Sequence, residues 1–485
     1  MRKILFTASE CVPFIKTGGL ADVVGSLPKY FDKDNFDVRV VLPKYTIMDK
    51  QYKEKMVFLN SFEMRIAGQN QYVGVFTSKH EDITFYFIDS EYYFSSPGIY
   101  DGAPDWNVEK FAFFSKAVLC ILPVIDFRPD LIHCNDWQTG LIPVYLDNFR
   151  YLGEYYRGIK TIMTIHNLKF QGTWNPKKVQ YITELPEYYF VPDKLEAYGD
   201  ANLLKGGLVY ADKITTVSES YAQEIKTPFY GEGLDGLMNA RSGDLVGIVN
   251  GLDVQVFNPQ LDYRIARNYT VEDFRQKKAI NKRALQEEVG LPRDAKVMLI
   301  GMVSRLTDQK GFDLVERVLD EICQEELQLV VLGTGEEKYE NLFRHFAWKY
   351  PQKVSANIYY NESLSHMIYA GCDGFLMPSL FEPCGLSQLM SLRYGTLPIV
   401  RETGGLRDTV EPYNEYKRTG TGFGFANYNA HEMLDTIRYA KSVYYDKKRS
   451  WNKMVERAMN QDFSWNRSAK KFEALYDELI GQVHF

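Results

Sequence analysis

The chain contains no CxxC pair. Its six cysteines, Cys11, Cys120, Cys134, Cys323, Cys372 and Cys384, lie scattered over 485 residues. That distribution fits reduced thiols in a cytosolic protein better than a disulfide framework. Long apolar runs are missing as well. "MRKILFTASE" starts basic, but its apolar run breaks at Thr7, which makes it too short for a signal peptide or a membrane span. Neither sign of charge dominates: the formal net charge is −6, a balance that points to neither nucleic acid nor a membrane surface as partner. No short-period repeat or low-complexity tract interrupts the chain. What is there, 45% hydrophobic and 25% charged residues, is ordinary for a soluble protein with sizeable cores. This length spans roughly two to four domains, and large α/β domains favour two.

Short β-rich runs recur, each followed by something helical or glycine-rich. The first half holds "KILFTAS", "DVRVVLP", "ITFYFID", "DLIHCND", "TIMTIHN" and "KITTVS". Many are continuous apolar runs, which is how strands buried on both faces of a parallel sheet read. The pattern restarts with "VMLIGMVSRL", "LQLVVLGTG", "VSANIYY", "DGFLMPS", "TLPIVRE" and "GTGFGF", interleaved with helical stretches such as "GFDLVERVLDEIC", "ESLSHMIYAGC" and "GLSQLMSLRYG". Two series of strand–helix units predict an α/β protein of two Rossmann-like, doubly wound domains. Glycine, asparagine and proline cluster in "SGDLVGIVNGLDVQVFNP", so the expected division is 1–245 and 246–460. The amphipathic stretch after Phe463, with Ser464 as an N-cap, forms a final helix within 461–485.

In open α/β sheets ligands bind beyond the carboxyl ends of the strands. After the first strand comes "KTGGLADV". Gly18 and Gly19 can bring backbone N–H groups to an anion beside Lys16, or can simply form a tight turn. The stretch is neither a P-loop nor GxGxxG. After "VMLIGMVS", Arg305 and Lys310 suit a diphosphate or form a solvated basic loop. Gly404 and Gly405 in "TGGLRD" open a second possible phosphate nest. His166 ends "TIMTIHN", and Asp136 and Trp137 follow "DLIHC"; taken singly, these residue types are more often structural. Glu382, in "PSLFEPCGLSQLM", sits where a buried strand gives way to a helix, as a ligand group or as a helix-start carboxylate. The acid triplet at Asp32 to Asp34 lies in a polar turn away from any strand exit and reads as solvent-facing. The "GTG" at Gly333 to Gly335 carries little weight.

Together the motifs "KTGGLADVVGSLP", "NDWQTGLIPVYL", "TIHNLKFQG", "GIVNGLD", "VSRLTDQKG", "PSLFEPCGLSQL" and "YGTLPIVRETGGLRDTV" resemble those of the bacterial glycogen synthase and plant starch synthase family. They span Lys16 to Val410 in the family's order. The resemblance implies a GT-B type glycosyltransferase with two Rossmann-like lobes facing across a cleft. The first lobe would take the acceptor side and the second the nucleotide-sugar side, with the C-terminal helix returning to the first. It implies that Lys16, Gly18 and Gly19 meet the donor's phosphates and sugar, with Asp22 shaping that corner. His166 would lie under the transferred glucose, and Asn250 would contact the sugar at the hinge. Arg305 and Lys310 would hold the diphosphate, and Tyr360 would pack on the base. Glu382 would bind glucose hydroxyls beside Cys384 and the amides of Gly385 and Leu386, with Gly404 and Gly405 also on the donor. Asp136 and Trp137 would fall on the acceptor side.

Four positions depart from the commoner pattern of such enzymes. Met390 stands eight positions after Glu382, where related two-lobe transferases often carry a second acid; this fits the glycogen synthase branch. Tyr359 replaces a frequent glycine at the base pocket; Asn135 replaces a frequent histidine and Phe257 a frequent tryptophan, and neither of these two stands at a position given chemistry. The implied reaction is transfer of glucose from ADP-glucose to the 4-hydroxyl of an α-1,4-glucan primer with retention of configuration. No metal and no other cofactor is expected, because Arg305 and Lys310 already serve the diphosphate. An α-glucan phosphorylase would need a lysine Schiff base to pyridoxal phosphate. A non-catalytic glucan-binding protein, which 34 Tyr and 30 Phe could serve, would need no phosphate clamp. As an acid at a strand exit, Glu382 is expected to contribute little to folding.

Overall fold

The structure is a computed structural model and describes residues 1–100 and 103–481. The chain forms two compact units. The first comprises Met1–Val217, Ala222–Gly251 and the segment from Trp465 onward; the second comprises Ser218–Tyr221 and Leu252–Ser464. The last four residues of the expected 461–485 segment lie outside the described residues.

In the first unit the strands are β1 (Arg2–Thr7), β2 (Phe36–Pro43), β3 (Val57–Ile66), β4 (Gln69–His80), β5 (Ile83–Asp89), β6 (Leu131–Asn135), β7 (Lys160–Ile165), a small antiparallel ladder of β8 (Thr173–Trp174), β9 (Glu196–Ala197) and β10 (Asp200–Asn202), then β11 (Lys213–Thr216) and β12 (Leu245–Gly247). Nine of them make one sheet in the order β12-β11-β7-β6-β1-β2-β5-β4-β3. It is parallel from β12 to β5, with Phe6 opposite both Val40 and His133. All residues of β6 and β7 are buried, which explains their unbroken apolar sequences. The chain leaves this unit after Gly251 rather than at 245, because Leu245–Gly247 is needed as the edge strand beside β11.

The antiparallel hairpin β3–β4 was not foreseen. Most of β3 is exposed, so no buried face imposes an alternating pattern on its sequence. The turn at Ala67 and Gly68, both at positive φ, is the kind that matches strand twist. The helix Pro104–Ile121 was also missed. It is buried over most of its surface, and a helix that is apolar all round shows no 3.6-residue stripe.

The second unit holds β13 (Met298–Val303), β14 (Leu327–Leu332), β15 (Val354–Asn357), β16 (Gly374–Met377), β17 (Leu397–Arg401) and β18 (Phe423–Phe425). Their order is β15-β14-β13-β16-β17-β18, parallel throughout. The chain winds outward one way from β13 and then the other way from β16, so the switch point lies between these two strands, where ligands bind in such sheets. The equivalent point in the first unit lies between β1 and β6.

The helix Trp465–Gly481 completes the first unit's core. Tyr476 Oη lies 2.7 Å from Nδ1 of the buried His133 on β6, and Phe472 packs 5.3 Å from the same ring. Replacing Tyr476 by Phe leaves that buried nitrogen without a partner, which costs about 1–3 kcal/mol. Thermal unfolding should show a lowered transition for Tyr476→Phe; an unchanged one would mean that the helix is held by its apolar face alone.

Candidate active site

At the second unit's switch point the loop after β13 and the loop after β16 are joined by side chains. Lys310 Nζ lies 2.9 and 2.7 Å from the two carboxylate oxygens of Glu382. Ser379 Oγ donates to the same carboxylate at 3.0 Å, and Glu382 is only 5% exposed. The backbones are close too. Leu380 N–H donates to Gln309 O at 2.9 Å, and a Cβ on Gly311 would lie 2.0 Å from Pro378 O. Glu382 is therefore neither a lone sugar-facing acid nor a plain helix-start carboxylate. The expectation that it adds little to stability is corrected: breaking one partner of a buried pair costs roughly 3–5 kcal/mol. Arg305, on the same β13 loop, is exposed. Among the described residues its guanidinium has no ion-pair partner.

The second double glycine is where two strand-exit loops meet. Gly405 N–H donates to Glu382 O at 3.0 Å and to Pro383 O at 3.2 Å. Cβ atoms on Gly404 and Gly405 would fall 2.0 Å from Glu382 O and 1.9 Å from Cys384 O. The pair lets the β17 loop touch the β16 loop, and the Gly405 amide is occupied in doing so. Cys384 is buried, Gly385 sits at positive φ, and Leu386 opens the helix Ser387–Arg393. Tyr360 is 80% exposed, open for stacking, while Tyr359 Oη donates to Asn357 at 3.2 Å. Met390 packs against the second unit's core, and Phe257 stacks on His366 at 4.8 Å.

In the first unit the loops after β1, β6 and β7 converge. Lys16 Nζ pairs with Asp22 Oδ1 at 2.8 Å, one turn into the helix Gly19–Ser26 that Gly18 caps. The loop is pinned by Glu10, which accepts from Thr17 N at 2.5 Å and from Thr17 Oγ1 at 2.6 Å. Burial raises the Glu10 carboxyl above its usual range. Asp136 holds a left-handed backbone, φ 57°, and accepts from His166 N at 2.7 Å. Burial pushes the Asp136 carboxyl up to about 7 and the His166 imidazole down to about 3, so His166 stays neutral. Its Nε2 lies 2.8 Å from Asn135 Oδ1. Trp137 is 8% exposed, edge-on to Phe111 at 5.2 Å and against Gly172, where a Cβ would meet its ring at 2.2 Å. Asn250 is buried one residue before the chain leaves this unit.

Asp32 accepts from Asp34 N at 3.0 Å and Asn35 Nδ2 at 2.7 Å, so the acid triplet forms a capped turn before β2. Among the described residues no group of three or more His, Cys, Asp or Glu is placed to hold a metal ion, and no helix is long and apolar enough to cross a membrane. Glu10 does not figure among the residues expected from sequence, and Asn135 figures there only as a departure from the family pattern. An acid inside the apolar context of "TASECV" was the available signal for the first; the replaced histidine was the signal for the second.

Two α/β units, each built on a mainly parallel sheet with its candidate residues on loops at the switch point, define the class: a glycosyltransferase of the GT-B type. Residues 3–240 match the starch synthase catalytic domain family, and residues 282–458 match the glycosyl transferases group 1 family. The chain is 66% identical to a glycogen synthase of Lachnospira eligens, over 99% of this chain and 100% of that one. It is 49% identical to that of Geobacillus stearothermophilus, over 99% and 98%. The catalytic domain of starch synthase IV from Arabidopsis thaliana, solved bound to ADP and acarbose, superposes with a TM-score of 0.90 at 30% identity, covering 99% of both chains. A sucrose-phosphate synthase from Thermosynechococcus elongatus shares the fold at TM-score 0.63 and 15% identity, covering both chains fully. The chain belongs to the glycogen synthase and starch synthase family.

The Asp136 shift has a consequence for stability. Its folded carboxyl, at about 7, keeps a proton that the unfolded chain loses near 4. The unfolded state then binds fewer protons in this window, so this group's contribution to stability is lost as pH rises from about 4 to about 7. Asp136→Asn, which keeps the acceptor for His166 N, should match the wild type at pH about 4. At pH about 8 it should exceed it by a few kcal/mol, at about 1.4 kcal/mol per pH unit of separation. Urea unfolding at both pH values checks this; a difference independent of pH would contradict it.

Proposed function

We propose that the chain transfers glucose from ADP-glucose to the non-reducing 4-hydroxyl of an α-1,4-glucan, with retention of configuration and release of ADP. The carrying observation is the loop after β13, which brings two cations, Arg305 and Lys310, to a switch point where Glu382 holds the second in place. The chemistry is departure of a diphosphate from an oxocarbenium-like centre. The leaving group gains charge in the transition state, so fixed cations stabilise that state more than the ground state. Arg305 supplies a planar fork to the phosphate oxygens, and Lys310 a point charge whose place is set in advance.

In this reading Glu382 has two tasks: its carboxylate orients Lys310 and accepts from glucose hydroxyls at its edge. Gly385 and Leu386, with Cys384, line the same corner, while Gly404 and Gly405 support it from behind. Tyr360 stacks on the base. Lys16, held by Asp22, and the Gly18–Gly19 turn contact donor phosphates and sugar, and Asn250 contacts the sugar. His166 lies under the transferred glucose as a neutral ring. Asp136 and Trp137 shape the first unit's end of the site, Asp136 through the His166 backbone and Trp137 as packing. Metal is not required, because arginine and lysine take its place at the diphosphate. The resemblance to glycogen synthases supports a cytoplasmic setting.

Elongation of a glycogen primer from ADP-glucose, assayed in chelator, tests this reading. The wild type should be active. Arg305→Ala, at an exposed position, and Lys310→Ala should each lose about a hundredfold in turnover while retaining glucan binding. Near-normal turnover in both, or activity only on adding magnesium or manganese, would overturn it.

A further inference from the structure

Asn135, a position expected to carry no chemistry, ends β6 and is 1% exposed. It lies opposite Thr164, two residues before His166. Its Nδ2 donates to Thr7 O at 3.1 Å and His133 O at 3.4 Å. Both partners are carbonyl oxygens, so the amide has one tolerable orientation. Turned over, Oδ1 would face two acceptors with no proton among the three atoms. Oδ1 is thereby directed at His166 Nε2, 2.8 Å away. An amide oxygen only accepts, so Nε2 carries the ring's proton. The imidazole is neutral, since burial pushes it down to about 3, and Nδ1 is left as a bare lone pair. Asp136, the nearby acid, is bonded to the backbone N–H of His166, which fixes the residue and leaves the ring's tautomer to Asn135.

We infer that Asn135 is a positioning residue that locks His166 as its Nε2–H tautomer, so that Nδ1 accepts a hydrogen bond from a hydroxyl of the transferred sugar. This rests on the proposed place of His166 at that sugar. It assigns His166 an acceptor's role and excludes it as a proton donor to the leaving group.

The test uses the full chain with 15N-labelled histidine, whose ring signals separate protonated from bare nitrogens. Only seven histidines are present, and the signal lost in His166→Gln identifies the residue. The wild type should show Nε2 protonated and Nδ1 bare, unchanged from neutral pH down to about 5. Asn135→Ala should mix the two tautomers and lower kcat by roughly tenfold or more, with KM for glucan little changed. Asn135→Asp provides a second reading. Either form of the Asp keeps an acceptor oxygen at Nε2. Nε2 should therefore remain the protonated nitrogen in the ring signals of Asn135→Asp where Asn135→Ala mixes the two, a difference that a merely structural role would not produce. A protonated Nδ1 in the wild type, or unchanged tautomer and kcat in Asn135→Ala, would overturn the inference. Full activity in His166→Gln with the wild-type tautomer as inferred would instead overturn the placing of His166 at the sugar, and with it the role of Nδ1.

Discussion

The second unit's site is organised around one buried ion pair. Taking the Glu382 carboxylate and the Lys310 ammonium out of water costs several kcal/mol per ion, and their attraction offsets it only when the geometry is good and the remaining lone pairs are satisfied. Here both carboxylate oxygens face the ammonium and Ser379 adds a donor. The same residue's backbone carbonyl accepts from Gly405. Three strand-exit loops, after β13, β16 and β17, are thus tied to one glutamate. The glycines around it follow from that requirement, since Gly311, Gly404 and Gly405 stand where any Cβ would strike a backbone oxygen.

The first unit solves a different problem. It buries polar groups whose charged forms burial disfavours, instead of pairing charges. His133 and His166 are both pushed down to about 3 by burial, and Asp136 is pushed up to about 7. These shifts oppose one another in their effect on stability. Each histidine favours the unfolded state as pH falls below about 6.5, while Asp136 favours the folded state over much of the same range. Under the proposed function such a hydrogen-bonded cluster suits an uncharged sugar, because fixed dipoles orient hydroxyls without the cost of an unpaired buried charge.

Much of the fold was legible in the chain. Strands such as β6 and β7 read clearly because both faces are buried, and the positions after them drew attention to His166, Lys310 and Glu382. The hairpin β3–β4 and the helix Pro104–Ile121 did not, the one having too little buried surface to impose a pattern and the other too much. Within the site, single residues were visible but their pairings were not. Lys310 and Glu382 stand 72 positions apart, and Asn135 and His166 stand 31 apart. Nothing local in either segment tells which side chains the sheet order will bring together. The double glycine at Gly404 does not by sequence distinguish a possible anion nest from a close-packed turn, because both require the same absence of Cβ.

Whether Glu382 acts through Lys310 is measured most directly by a double-mutant cycle. Lys310→Met, Glu382→Gln and the double variant would be compared in unfolding free energy and in turnover. Acting as a pair, the two residues should couple by about 1–3 kcal/mol, the double variant being no less stable than the worse single one and losing less turnover than the two single losses combined. Losses that simply add, in stability and in turnover alike, would contradict the account and leave Glu382 and Lys310 as independent contacts.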